Sequence, residues 1–241
     1  MAILMKTLLL LIITILFGFS ISNAQHIYFG FNGQLAIPQG EFSDSIDRLG
    51  GGLDAFGYYR FGDSPFGVGL DFSFVNFGRD TRDEPLSTTI PDLRVEVENE
   101  YNLLQVFPVF RVQQGSGILQ PYLDGMAGIN YFYTQTSISE RGSSDEPIAR
   151  DTNFEDVAFA WGGGGGLMIR VIDNSDREVQ NENDDSIGQG FINLGFRYVN
   201  GNEAEYLREG SIRIENGDVA FDTLQSDTDM ITVQLGFIFK F

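Results

Sequence analysis

The chain has no cysteine, so it has no disulfide framework, no thiolate metal site and no thiol chemistry. It has a single histidine, His26, which leaves no material for a histidine-based catalytic or metal centre in the body of the protein. Basic residues are scarce as well. Fifteen lysines and arginines stand against 34 acids, a net charge of −19. That balance cannot neutralise a phosphate backbone, so nucleic acid is excluded as a partner. Beyond the first two dozen residues, no apolar run approaches the ~20 residues of a membrane-spanning helix.

Two things are abundant instead. Glycine (29) and phenylalanine (22) are both frequent in the 241 residues, an unusual pairing for a helical enzyme. At the N-terminus, the cationic lead MAILMK precedes the apolar core TLLLLIITILFGFSI. SNA then places Ser22 and Ala24 at the −3 and −1 positions of a cleavage site. This is the pattern of a secretory signal peptide over residues 1–24, with an exported domain over 25–241. An uncleaved anchor is the plainer alternative, but the core is short for one.

The last residues, ITVQLGFIFKF, alternate with a period of two. Ile231, Val233, Leu235, Phe237, Phe239 and Phe241 share one face, against Thr232, Gln234, Gly236, Ile238 and Lys240. Seven earlier segments repeat the pattern: 27–37, 53–61, 66–74, 103–112, 121–133, 159–171 and 191–199. In FGVGLDFSF, for example, Phe66, Val68, Leu70, Phe72 and Phe74 oppose Gly67, Gly69, Asp71 and Ser73. One face is always apolar and aromatic, while the other mixes glycine, amide and isolated charge. A soluble barrel would point its large apolar side chains inward and its charges out. Here charges sit singly among small residues, as in a narrow polar lumen, and the greasy face is left for hydrocarbon. Segments of about 9–11 residues suit tilted membrane-spanning strands, and a closed barrel satisfies every backbone group in lipid. The fold class expected is all-β: an eight-stranded antiparallel transmembrane up-and-down β-barrel. The links at 62–65 and 113–117 are tight, whereas those around 38–50, 75–102, 134–156 and 200–228 are long and acidic. The link 172–190 is long where a short turn is expected.

With its signal peptide, its eight alternating segments, GFNGQLAIPQGEF, PYLDGMAGINY and a final strand ending in phenylalanine, the chain resembles the small outer-membrane β-barrel proteins of Gram-negative bacteria. That group includes the OmpA-type and OmpX-type barrels and the "outer membrane protein beta-barrel domain" proteins. The resemblance implies residence in the outer membrane, contact with its lipid and lipopolysaccharide, and insertion by the barrel-assembly machinery. It also implies that Phe241 forms part of the assembly signal. The family offers no common catalytic residues to carry over, and no cofactor is expected.

Three features invite a chemical reading. His26 lies beside the expected cleavage point, a poor place for a rigid catalytic site. The GGGGG run at 162–166 lacks the following lysine and serine or threonine of a phosphate loop, and it lies inside an alternating strand. Its plainer role is to make room for bulky interior side chains of neighbouring strands. The acidic stretches 79–85 and 176–185 lack the spacing of a calcium loop and read as solvated, self-repelling segments. Bridging to lipopolysaccharide phosphates through divalent ions is the alternative there.

The leading reading is therefore a non-enzymatic outer-membrane barrel whose external loops have a structural, surface-binding or adhesion role towards an unknown external ligand. A small passive, porin-like channel is the second reading, and a secreted soluble barrel carrying an apolar ligand the third. Residues expected to form an internal charge network are Asp71, Asp124 and Arg197 at similar depth, with Arg60, Arg111, Arg170 and Lys240 nearer one rim. Strands three and seven stand opposite each other in such a barrel. Pairing of these acids with these cations would plug the lumen.

Overall fold

The computed structural model describes residues 27–87, 90–140, 149–174, 187–207, 213–215, 218–220 and 223–241. The expected signal peptide, His26 and the acidic stretch 176–185 lie outside them. Eight strands close a barrel: β1 (Ile27–Pro38), β2 (Gly50–Arg60), β3 (Phe66–Ser87), β4 (Ile90–Gln113), β5 (Leu119–Glu140), β6 (Ala149–Asp173), β7 (Gln189–Gly201) and β12 (Met230–Lys240). Each pairs antiparallel with the strands on either side, in the order β1-β12-β7-β6-β5-β4-β3-β2. β12 closes on β1 through a register running from Tyr28 opposite Lys240 to Pro38 opposite Met230. The N–H of Phe241 donates to the carbonyl of Ile27 at 3.0 Å, extending that seam by one bond. Closure leaves no strand edge along the barrel.

The alternation expected from the sequence is the alternation observed. In β12, Val233, Leu235 and Phe237 face outward, between the buried Thr232, Gln234, Gly236 and Ile238. Large apolar side chains stand exposed on the outside of all eight strands, among them Phe31, Leu53, Phe72, Leu104, Leu123, Trp161, Phe196 and Leu235. Water-soluble monomers rarely expose apolar patches beyond a few hundred Å². This belt surrounds the molecule.

The long links depart from the expectation of loops. β3 and β4 remain paired beyond the barrel to Ser87 and Ile90, and β5 and β6 remain paired from Ile138 opposite Ala149 down to the barrel. The physical reason lies in the sequence itself. Stretches such as RVEVENEYN keep a period of two after their apolar face ends, so the hydrogen-bonded ladder continues where the lipid-type face stops. Where β3 leaves the barrel its register slips between Asn76 and Arg79. Gly78 takes a φ of +101° at that bulge, and its N–H donates to Asn76 Oδ1 at 2.8 Å. A side chain would be strained in that conformation.

The links 38–50 and 200–228 also carry structure. The first contains a short helix, α1 (Gly40–Ser45). The second contains β8 (Glu203–Leu207), β9 (Arg213–Glu215), β10 (Asp218–Ala220) and β11 (Thr223–Asp227), paired as β8 with β11 and β9 with β10. Phe42 of α1 is fully buried, with edge-on rings of Phe77 and Phe132 at 5.4 and 5.8 Å.

The interior of the barrel is layered. Near the short turns lies an apolar and aromatic group of Tyr28, Phe56, Tyr58, Tyr122, Met168, Phe191 and Ile238. Near the long hairpins lies a second apolar group that includes Val75, Phe77, Leu103, Met230 and Phe42. Charges and amides occupy the band between. Eight strands enclose a space that side chains can fill, and here they fill it.

Candidate functional site: the buried polar band of the lumen

Arg111 sits directly opposite Asp124 on the paired strands β4 and β5. Its Nε and Nη2 donate to Asp124 Oδ1 and Oδ2, both at 2.7 Å, and both side chains are buried. Two parallel charge-assisted bonds of this kind are the strongest pairing an arginine can make with a carboxylate. The guanidinium also lies over three rings, Tyr122, Tyr58 and Phe56, with centroids at 4.0, 4.6 and 5.2 Å. These rings come from β2 and β5, whose inward positions the alternation assigns.

Arg197 belongs to β7 and reaches across the lumen. Its Nη2 donates to Asp71 Oδ2 on β3 at 2.6 Å, and its Nη1 lies 3.5 Å from Asp54 Oδ2 on β2. Both carboxylates are completely withdrawn from solvent. Asp54 Oδ1 accepts from Asn32 Nδ2 on β1. Asn32 Oδ1 in turn accepts from Asn193 Nδ2 at 2.9 Å, and Asn193 Oδ1 accepts from the Tyr122 hydroxyl at 3.0 Å. One connected set of side chains thus links β1, β2, β3, β5 and β7. Above it, Gln34 donates to Ser73 and Gln105 donates to Asn130 Oδ1, the latter at 2.9 Å.

Of the residues singled out from the sequence, the structure brings Asp71 to Arg197 and Asp124 to Arg111. The other three cations stand apart from this band. Arg60 donates from Nε to the carbonyl of Gly62 and from Nη1 to that of Gly115, tying down both short turns at 3.1 and 3.3 Å. Arg170 pairs with Asp173 at 2.9 Å on the partly exposed rim. Lys240 is half-buried at the same rim, near Arg60, Arg170, Asp63 and Asp173. These three thus stand at the rim rather than deep in the barrel. Asp54 is the site residue that sequence reasoning missed. It lies on the inward face of its strand, opposite Ser73 and so diagonal to Asp71, and that register was the signal that could have found it.

The glycine run is part of this site. A Cβ on Gly164 would collide with the Phe196 carbonyl and come within 2.7 Å of Arg197 Cγ. One on Gly166 would meet the Tyr122 ring at 2.5 Å. The inward glycines of β6 thus vacate the volume that Arg197 and Tyr122 occupy. Among the described residues, no group of three or more histidine, cysteine, aspartate or glutamate side chains is placed to hold a metal ion.

No family model matches the chain, and no curated protein matches it. Solved structures of similar shape do exist. Neisserial surface protein A is 12% identical, with 89% of this chain and 97% of that chain covered and a TM-score of 0.42. Ail, the attachment invasion locus protein of Yersinia pestis, is 16% identical, covering 90% and 97%, with a TM-score of 0.35. A major outer membrane protein from Thermus thermophilus is 11% identical, covering 88% and 99%, with a TM-score of 0.40. Nothing about the activity of this chain follows from likeness at that level. Its own closed wall and apolar exterior define the class: an eight-stranded antiparallel β-barrel of outer-membrane type.

Proposed function

We propose that the protein is a non-enzymatic integral β-barrel of a Gram-negative outer membrane, whose long hairpins serve a structural, surface-binding or adhesion role. The observation that carries this reading is the division of the barrel wall. The outer face is a continuous apolar belt, while the inner face is knitted shut by Arg111–Asp124, by Arg197 with its two aspartates, and by the Phe42 cap. A protein built this way has hydrocarbon as its lateral solvent and, among the described residues, a lumen filled by side chains. Its remaining polar surface is the hairpin extensions and the rim. In barrels of this type the short turns face the periplasm and the long segments face outward. Membrane lipid, lipopolysaccharide, the barrel-assembly machinery and an external ligand are the partners that this placement supports.

The reading is tested on intact cells. The protein should fractionate with outer membranes, require detergent, and migrate differently on gels before and after heating. Shortening β3–β4 or β5–β6 to the barrel rim should abolish binding to the external partner while the heat-modifiable form persists. Recovery of a folded monomer without detergent would support the soluble-barrel reading instead. A large, well-defined conductance in planar bilayers would support the channel reading.

A further inference from the structure

The polar band holds two arginines and three aspartates, whose charges do not balance. Arg111 and Asp124 neutralise each other through two short bonds. Arg197 faces two carboxylates, Asp54 and Asp71, both with fully buried side chains. With every group ionised, three aspartates stand against two arginines, and one negative charge is left over in the barrel interior. Burial of an uncompensated charge is among the most costly arrangements a protein can adopt.

Among the described residues, the surroundings offer no second cation. β4 and β5 contribute Arg111 and Asp124, already paired, together with the phenol of Tyr122, while β2 contributes that of Tyr58. β1, β7 and β12 contribute neutral partners, Asn32, Asn193, Thr232 and Gln234. β6 contributes glycine and Met168. Arg60, the remaining buried cation, is engaged by turn carbonyls at the end of the barrel.

The oxygen atoms give the second observation. Asp54 Oδ1 accepts from Asn32, and Asp71 Oδ2 accepts from Arg197. The other oxygen of each, Asp54 Oδ2 and Asp71 Oδ1, is buried and makes no hydrogen bond. Asp54 and Asp71 are diagonal neighbours on the inward face of paired strands, and both reach the guanidinium of Arg197. Asp54 Oδ2 has only the distant Arg197 Nη1, at 3.5 Å, and a carboxyl group beside a carboxylate supplies the missing donor.

We propose that Asp54 and Asp71 form a proton-binding site, holding one solvent-derived proton between them so that the pair carries a single negative charge opposite Arg197. As the barrel closes, one O–H bond of a solvent hydronium ion breaks and one forms on the Asp54 carboxyl, which donates towards Asp71. No other bond changes. This site holds its proton whatever the hairpins bind. It makes closure of the barrel a proton-consuming step, so an acidic exterior favours the folded wall. The sign follows from linkage. The folded barrel binds a proton that the ionised aspartates of the unfolded chain do not, so stability falls as pH rises.

The test is urea unfolding of the full-length barrel in detergent micelles, between about pH 5 and pH 8, against Asp54→Asn. The asparagine keeps the oxygen that accepts from Asn32 and supplies a permanent donor towards Asp71. The unmodified protein should lose roughly tenfold in folding constant per pH unit relative to the variant, over the range in which the proton is held. Taking the difference cancels the titration of the acidic hairpins. Parallel pH profiles for the two proteins would overturn the proposal. Should the variant fail to fold, infrared spectra of the unmodified barrel at neutral pH decide the matter. A protonated aspartyl carbonyl band that shifts on carbon-13 labelling of aspartate is expected, and its absence would overturn the proposal equally.

Discussion

Arg111 and Arg197 are both buried in the same lumen, yet they are held in different ways. Arg111 finds its acid directly across one ladder, on the strand that follows it in the chain, and three rings cover its faces. Arg197 has Gly164 and Thr232 directly opposite it and spans the barrel to β2 and β3. The ion pair of the first arrangement is complete within the β4–β5 hairpin, and β2 adds two of the three rings. The second exists only once β7 has come round to face β3, which requires the whole barrel to close. Arg111 therefore stabilises a piece of the structure, while Arg197 stabilises its closure. The second device couples strands far apart in sequence, and breaking it leaves two carboxylates without their cation.

The largest effect should come from removing Arg197. Arg197→Ala exposes Asp54 and Asp71 to each other with no cation, and loss of one side of a buried ion pair costs about 3–5 kcal/mol. Asp124→Ala strips the acid from Arg111 but leaves the three rings in place, and cation–π contact retains part of the stabilisation. A cost of about 3 kcal/mol, at the low end of that range, is expected. Urea unfolding of the folded barrel in micelles measures both. Equal losses would show that the cross-barrel clamp contributes no more than a hairpin pair.

Much of this was readable from residues alone. Outward and inward faces follow from the period of two, and the pairing of Asp71 with Arg197 follows from their similar depth on strands three and seven, which stand opposite each other. Other features were not readable. Asp54 looked like one more polar residue on an alternating strand, since its importance depends on the stagger between β2 and β3. Phe42 lies in a short segment whose composition, GEFSDS, reads as an exposed acidic loop. Only the open mouth of the barrel, lined by Phe77 and Phe132, gives its ring somewhere to go. The alternation predicts a narrow polar lumen, yet each end also holds an apolar cluster, because a narrow interior filled by side chains needs bulk as well as polarity.

A second test asks what the lumen supplies to its arginines that lipid cannot. Leu235 lies on the outside of β12, 59% exposed, with no acid beside it. Leu235→Arg places a guanidinium in the hydrocarbon region without a partner, and the expected cost is about 2–4 kcal/mol, falling towards the interfaces. Refolding yield into lipid vesicles, followed by urea unfolding, measures it. A neutral outcome would mean that the apolar belt does not meet hydrocarbon at this depth. Gln234, its inward neighbour, is no neutral control, because its side chain already touches Gln34 and crowds Gly195.

The smallest effect concerns the space that Arg197 needs. Gly164 and Gly125 occupy neighbouring strands, but they face opposite sides of the wall. A Cβ at Gly164 points inward and meets both the Phe196 carbonyl and Arg197 Cγ at under 3 Å. The backbone oxygen cannot yield easily, so the arginine must move and its bond to Asp71 must lengthen. Overpacking of this kind costs about 1–3 kcal/mol. A Cβ at Gly125 has nothing within 4 Å, and it reduces the freedom of the unfolded chain. Gly125→Ala should therefore be neutral or stabilising by up to about 1 kcal/mol. The comparison becomes sharp in combination. If Gly164→Ala acts through Arg197, its cost should shrink in an Arg197→Ala background, whereas the effect of Gly125→Ala should be unchanged there. Additive costs for Gly164 and Arg197 would show that the glycine serves strand packing alone and has no part in holding the cross-barrel clamp.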